Sequence, residues 1–125
     1  MYLVDTDIII DVLRGFEGSK EFLLKIAQEG IAISTITVAE IISGKESRDA
    51  VTREKILRFL RNFEIVPLTM EISVVAGEIR RDYRIGIADA VIAATALNYG
   101  MTVVTGNVKH FERVKGLKLL KPDYR

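Results

Sequence analysis

The chain has 125 residues, about the usual size of one domain, and we expect a single domain over residues 1–125. Its 18 basic and 17 acidic side chains nearly cancel, so a surface that binds nucleic acid must be a local one. The absence of cysteine excludes disulfides, thiolate metal sites and a cysteine nucleophile. Neither a signal peptide nor an apolar run long enough for a membrane span is recognisable, so the expected location is the cytoplasm.

Short apolar runs alternate with segments of helical spacing along the chain. The runs that predict buried strands are Tyr2–Val4, Ile31–Ile33, Glu64–Val66, Met101–Val104 and Leu117–Leu120. Helices are predicted between them, one of them with Ser19 as its N-cap, and the run ADAVIAATALNYG predicts a buried helix that Gly100 ends. This alternation predicts an α/β fold with a parallel sheet, whose ligands bind beyond the carboxyl ends of the strands.

Several polar residues follow the predicted strands, at the edge of the sheet where ligands are expected. They are Asp5 after the first strand, Glu40 on the helix after the second, Asp89 at the start of the buried helix, and Thr105 and Asn107 after the fourth. Converging carboxylates repel one another unless a cation lies between them. Because every donor is an oxygen, the pattern favours Mg²⁺ or Mn²⁺, and hydrolysis of a phosphodiester is the natural chemistry for such an ion.

Each of these residues also has a structural explanation. Glu40 lies three residues after Thr37, which is the spacing of a capping box, and an acid such as Asp89 is favoured near a helix start by the macrodipole. Asp5 is the hardest to explain in this way, because a carboxylate at the end of a buried strand has little to cap. The placement of all three acids at one edge of the sheet therefore supports a metal site more strongly than any single acid does.

Four neighbouring polar residues are expected to have local roles. We expect Asp7 and Asp11, on the first helix, to cap it or to face solvent, and for Asp7 the alternative is a supporting position behind the residues that bind the metal. Asn107 follows Gly106 and could be a turn residue, and His110 is the only histidine in the chain.

Four segments together resemble a PIN domain, and more narrowly the VapC toxins of toxin–antitoxin pairs. The segments are VDTDIIIDVLRG, STITVAEIISG, IGIADAVIAATALNYG, and TVVTGNVKHF with GLKLLKP after it. The resemblance covers nearly the whole chain. It implies a three-layer α/β/α sandwich around a parallel sheet, a ribonuclease that depends on Mg²⁺ or Mn²⁺, and a homodimer neutralised by a small VapB-like antitoxin.

The resemblance also assigns roles to individual residues. The three core acids of the family match Asp5, Glu40 and Asp89, of which Asp5 and Asp89 would hold the metal. The fourth acidic position falls in TGNVKHF, where Asn107 or His110 stands and neither is a carboxylate. Thr6 and Thr105 match hydroxyl positions that orient the acids or hold water. A PIN domain without activity, which only binds RNA or an antitoxin, therefore stays open.

An RNA substrate has to approach this acidic site with the help of nearby basic side chains. Residues 109–125 carry six basic and two acidic side chains. We expect Arg14, Arg84 and Lys109 to contact RNA, with Arg80 and Arg81 as further candidates. The implied reaction leaves a 5′-phosphate and a 3′-hydroxyl.

Two other acidic-site families fit less well. A phosphatase of the haloacid-dehalogenase type also has D-x-D after its first strand, but it needs a later acidic pair, and only Glu112 and Asp123 follow Thr105. A receiver-like signalling domain needs an acceptor Asp at the end of a middle strand, where Ser34 and Pro67 stand.

Overall fold

A five-stranded parallel sheet forms the centre of the computed structural model, which describes all residues 1–125. The strands are β1 (Tyr2–Val4), β2 (Ile31–Ser34), β3 (Glu64–Val66), β4 (Thr102–Val104) and β5 (Lys118–Leu120). Their order across the sheet is β3-β2-β1-β4-β5, and every neighbouring pair is parallel. All five predicted strands and the parallel sheet are confirmed.

Seven α-helices connect and cover the strands. They are α1 (Thr6–Leu13), α2 (Ser19–Ala27), α3 (Thr35–Ile42), α4 (Ala50–Leu60), α5 (Met70–Tyr83), α6 (Ile87–Tyr99) and α7 (Val108–Phe111), with a short 3₁₀ turn at Lys45–Arg48. The longest, α5, has 14 residues, and no helix has the length and apolarity to cross a bilayer.

Of the two helix ends predicted from the sequence, one is confirmed and the other is wrong. Gly100 ends α6 with a φ of 66°, the left-handed conformation that glycine adopts without strain. The expected N-cap of α2 is wrong, because Gly18 occupies that position and Ser19 is the first helical residue. The Ser19 hydroxyl instead donates to the carbonyl of Phe16 at 2.6 Å.

Two apolar cores lie on opposite faces of the sheet, since successive strand residues point to opposite sides. Leu3 and Val103 belong to the core beneath α5 and α6, whereas Val4 and Val104 belong to the core beneath α1, α2 and α4. Helix α6 is buried without interruption from residue 90 to 96, as its apolar sequence predicts. The result is the predicted three-layer α/β/α sandwich.

The order of the strands reverses direction between β1 and β4. The chain proceeds outward from β1 to β2 and β3, then returns to place β4 on the other side of β1. In open parallel sheets a crevice forms at the carboxyl ends of two such strands, and ligands bind there. Asp5 and Thr105 follow these two strands, and the Asp5 amide donates to the carbonyl of Val104 at 2.9 Å.

Candidate functional site

Asp5 lies at the centre of the crevice and is held at both carboxylate oxygens. It is the N-cap of α1 and only 4% exposed. Its Oδ1 accepts from the Thr6 amide at 2.8 Å, and its Oδ2 accepts from the Thr105 hydroxyl at 2.8 Å. Because these donors belong to the segments after β1 and β4, the two central strands together fix the carboxylate.

The surroundings of Asp5 disfavour its charged form. Burial, followed by the charge of Asp7, raises the pKa of Asp5 to about 7, and the charge of Asp89 adds to this effect. The hydrogen bonds from Thr105 and Thr6 lower the pKa but do not offset these causes. No basic side chain forms a salt bridge with Asp5. The buried carboxylate therefore lacks a positive partner within the chain.

Thr6 links Asp5 to Glu40. Its hydroxyl lies 2.6 Å from Glu40 Oε1 and 3.0 Å from the hydroxyl of Thr37. Because a hydroxyl has one proton, Thr6 donates it to the carboxylate and accepts from Thr37. The capping-box explanation of Glu40 is wrong, since the N-cap of α3 is Ser34 and Thr37 is buried inside the helix.

Asp89 is the third residue of α6, and its side chain is 27% exposed. It lines a depression of about 320 Å³, which we call the basic depression. The other charged or titratable side chains around it are Arg84, Lys109, His110 and Arg113. The structure thus brings two of the three predicted RNA contacts, Arg84 and Lys109, beside the predicted acid.

Arg113 was not singled out from the sequence. It is one of several basic residues in the C-terminal segment, and only the fold shows that it lines the same depression as Asp89. Its guanidinium donates to the carbonyl of Tyr83 at 2.7 Å, which anchors it next to the end of α5.

The remaining basic candidates do not line the basic depression. Arg14 and Glu40 line a separate groove of about 340 Å³ between α1, α3 and α4. Arg80 donates to the carbonyl of Ile85 at 3.3 Å, and Arg81 forms an ion pair with its neighbour Asp82 at 2.7 Å.

Both residues at the fourth acidic position contact the site. The Asn107 amide donates to the Thr105 hydroxyl at 3.0 Å, and the side-chain amide donates to Asp7 Oδ2 at 3.2 Å. The His110 Nδ1 atom lies 3.2 Å from Asp89 Oδ2. Asn107 therefore does more than form a turn.

Asp7 and Asp11 neither cap α1 nor face solvent, so that expectation is wrong, and of the expectations for Asp7 only the supporting position behind the metal ligands stays open. Asp7 is 16% exposed and accepts from the Gly106 amide at 3.0 Å, with the Arg125 guanidinium 3.5 Å away. Asp11 is 12% exposed and accepts from the Tyr124 hydroxyl at 2.7 Å and from Arg125 Nε at 3.0 Å. Their partners lie about a hundred residues further along the chain, so no local pattern could predict them.

The possible metal ligands at the site are all oxygen atoms, but the acids do not already form a cluster of three around one point. No three carboxylate or imidazole groups lie at the spacing of ligands around one metal ion. Among all buried side-chain nitrogen and oxygen atoms, Asp7 Oδ1 is the one without a hydrogen-bond partner. A buried acceptor without a donor is costly, so this atom lies where a cation would be stabilising.

Comparisons with known proteins assign the fold to a family. The family model of the PIN domain matches residues 2–117. The chain belongs to the PIN domain family. This confirms the resemblance drawn from the four sequence segments.

Known VapC proteins are similar to this PIN domain over nearly its full length. Ribonuclease VapC10 of Mycobacterium tuberculosis is 36% identical over 94% of this chain and 91% of its own length. The tRNA(fMet)-specific endonuclease VapC of Shigella flexneri is 27% identical, with 94% of each chain covered. The fold is also similar to that of a chain in the crystal structure of VapBC2 from Rickettsia felis bound to a promoter DNA fragment. The superposition covers 98% of each chain, with a TM-score of 0.84 and 29% sequence identity.

Proposed function

We propose that this PIN domain is an endoribonuclease that depends on Mg²⁺ or Mn²⁺ and is the toxin of a toxin–antitoxin pair. The observation that carries the proposal is Asp5, a buried carboxylate without a positive partner in the crevice between β1 and β4. The basic depression around Asp89 offers a surface for the phosphates of RNA. The similarity to VapC ribonucleases supports the same activity.

The residues around Asp5 fit a hard divalent cation. Mg²⁺ uses oxygen ligands, and one or two carboxylates with several waters are enough to bind it. Asp5 and Asp89 would hold the ion, since their mutual repulsion and the burial of Asp5 are both relieved by a positive charge. The unpartnered Oδ1 of Asp7 marks a further place where positive charge would be stabilising.

Each side chain has a distinct task in hydrolysis of a phosphodiester. A bound cation would supply Lewis acidity, which polarises the phosphodiester and lowers the pKa of the attacking water. Glu40, held through Oε1 by Thr6, has its Oε2 free to accept a proton from that water. Arg84 and Lys109 would bind phosphates of the RNA beside the scissile bond, and Arg14 those further along. The products would carry a 5′-phosphate and a 3′-hydroxyl.

The partners of this PIN domain are proposed from its structural neighbours. Several of these neighbours are toxin–antitoxin complexes, among them VapBC2 of Rickettsia felis and a complex from Klebsiella pneumoniae. We propose that a small VapB-like antitoxin neutralises this chain, that the toxin is a homodimer, and that both work in the cytoplasm.

One observation favours a second candidate function. The fourth acidic position holds Asn107 or His110 instead of a carboxylate. A weakened or inactive PIN domain that binds RNA or an antitoxin without cleaving RNA would tolerate this change.

Cleavage of total RNA by the purified chain tests the two functions against each other. We expect cleavage with Mg²⁺ or Mn²⁺, none with EDTA, and at least about a hundredfold less by Asp5→Asn or Asp89→Asn. Asp82→Asn, which removes an exposed acid on α5, should cleave like the unmodified chain. Equal cleavage by all variants would indicate a contaminating nuclease and contradict the proposal, and RNA binding without cleavage would favour the second candidate.

A further inference from the structure

Asp7 has one carboxylate oxygen fully engaged and the other unused. Its Oδ2 accepts from the amide of Gly106 at 3.0 Å and from the side chain of Asn107 at 3.2 Å, and it faces Arg125 at 3.5 Å. Its Oδ1 is buried and accepts from nothing. All of the donors therefore lie on one side of the carboxylate, and the opposite side requires a proton, a water or a cation.

The unused side of Asp7 adjoins the proposed metal site. Asp7 lies in the first turn of α1, two residues after the N-cap Asp5, and the two carboxylates are close enough to interact directly. Two buried carboxylates that face each other without a donor between them are unstable, and a shared cation is the arrangement that satisfies both.

The contact between Asp7 and Asn107 explains how a site can work without an acid at the fourth position. Asn107 is one of the two residues that match that position, and its side-chain amide binds the carboxylate of Asp7. A carboxylate and an amide thus meet at this point of the site, with the carboxylate on α1 and the amide on the loop after β4. Exchanging the two side chains would leave the composition of the contact unchanged.

We propose that Asp7 binds the metal ion through Oδ1, as the fourth acid of the site beside Asp5, Glu40 and Asp89, and that it compensates for the acid absent at Asn107. This inference rests on the proposed metal-dependent function. It assigns Asn107 the role of a positioning residue, which fixes Oδ2 and thereby directs Oδ1 toward Asp5. It also removes the reason to regard the non-acidic fourth position as a mark of lost activity.

A competing explanation is that Asp7 only anchors Arg125. The Arg125 side chain is 28% exposed, and its guanidinium lies so close to Gly106 that a Cβ on that residue would overlap it. Asp11 binds the same guanidinium more closely, at 3.0 Å, one helical turn further from Asp5. The variant Asp11→Asn therefore removes a carboxylate from Arg125 without removing an oxygen next to Asp5, and it serves as the matched control.

Calorimetric titration of the RNA-free chain with Mn²⁺ tests the inference without measuring catalysis. We expect Asp7→Asn to weaken Mn²⁺ binding at least about tenfold and Asp11→Asn to leave it within about twofold. Asp7→Asn should remain folded, because its Nδ2 can take the place of Oδ1 and donate to Asp5. The thermal unfolding midpoint in EDTA checks this and should not fall.

The exchange variant Asp7→Asn/Asn107→Asp provides the decisive comparison. It returns a carboxylate to the same contact from the other side, so Mn²⁺ binding should recover to within about threefold of the unmodified chain. Unchanged binding by Asp7→Asn while Asp5→Asn loses it would overturn the inference, and so would equal weakening by Asp7→Asn and Asp11→Asn. If the unmodified chain binds Mn²⁺ through Asp7 but cleaves no RNA, the proposed function fails and the inference stands.

Discussion

Thr6 is the residue that orders the acids of this PIN domain. Its backbone amide binds Asp5, and its hydroxyl binds both Glu40 and the buried Thr37. One residue therefore sets the separation between an acid of α1 and an acid of α3. We regard Thr6 as a positioning residue, because it touches the acids and has no proposed contact with the substrate.

Replacing Thr6 by valine, which has the same shape, isolates the contribution of its hydroxyl. We expect Thr6→Val to lower kcat at least about tenfold, since Glu40 loses the bond that orients it. The free energy of unfolding should fall by about 1–3 kcal/mol, because the buried hydroxyl of Thr37 loses its partner. RNA cleavage and urea denaturation measure the two effects.

Thr6→Ser keeps the hydroxyl and is the control for Thr6→Val. It should retain most of the activity and most of the stability. Cleavage by Thr6→Val at the rate of the unmodified chain would contradict a positioning role for Thr6.

The titration of Asp5 predicts how stability depends on pH when no metal is bound. Burial and the neighbouring carboxylates raise the pKa of Asp5 from 3.8 to about 7 in the folded chain. Between about pH 4 and pH 7 the folded chain therefore keeps a proton that the unfolded chain has released, so stability falls as the pH rises. Each unit of raised pKa costs about 1.4 kcal/mol, so we expect a loss of a few kcal/mol in EDTA by pH 7.

Denaturation in EDTA at a series of pH values measures this loss, and excess Mg²⁺ should reduce it, because a cation favours the ionised carboxylate. Asp5→Asn has no such titration and should show a flatter curve. A stability that rises between pH 5 and pH 7 in EDTA would contradict the assignment.

At the scale of the elements, the end of α5 is strained next to the basic depression. Arg84 terminates this helix with a φ of 56°, and it is the one residue other than glycine with a positive φ. A left-handed conformation costs about 1 kcal/mol for a residue with a side chain. A glycine would remove this cost, so the presence of arginine indicates a use for the guanidinium.

Arg84→Gly is expected to change stability and RNA affinity in opposite directions. The unfolding midpoint should rise, by the equivalent of about 0.5–1 kcal/mol, while binding of RNA weakens several-fold. Fluorescence anisotropy with a labelled RNA in Ca²⁺ or EDTA measures affinity without cleavage. Arg81→Ala, on the same helix but paired with Asp82, should leave RNA affinity unchanged. Full RNA affinity in Arg84→Gly would exclude this role for the guanidinium.

Most elements of this fold can be predicted from the sequence, because their determinants are local. The run of apolar residues in α6 predicts a buried helix, and Gly100 predicts where that helix ends. Helix starts are less certain, because serine also binds carbonyls within turns. Ser19 does this, and Ser34 rather than Thr37 caps α3.

Only one part of the candidate site could be predicted from the sequence, namely that residues following parallel strands meet at the carboxyl ends of those strands. That rule correctly brings Asp5 and Thr105 together, because they follow neighbouring strands. It does not predict which side chains contact one another within the loops, so it missed the partners of Asp7 and the position of Arg113 in the depression around Asp89. These contacts depend on loop conformations that no spacing in the sequence encodes.

At the scale of the whole molecule, attraction of RNA has to be local, because the net charge is only +1. Three basic side chains, Arg84, Lys109 and Arg113, surround the basic depression. For a single-stranded RNA short enough to contact this depression without reaching Arg14, and with one phosphate neutralised by each side chain, log K should fall with log [salt] at a slope of about −2. Equilibrium binding between about 50 and 200 mM salt measures this slope.

Removing two of these charges with Arg84→Gln/Lys109→Gln should reduce the slope to about −0.7. The matched control Lys20→Gln/Lys25→Gln removes two exposed lysines from α2 and should leave the slope near −2. Equal slopes for both double variants would show that RNA binds elsewhere.

The hydrogen bond between Asp5 and Thr105 spans 100 residues of the chain, which has a consequence for the timing of synthesis. At about 5–20 residues per second, a ribosome needs about 5–20 s to add the residues between them. While residues 41–88 are being added, Asp5 and Glu40 have been made, whereas Asp89, β4 and the basic depression have not. A growing chain therefore carries only part of its site, and we expect RNA cleavage to begin only after β4 has paired with β1.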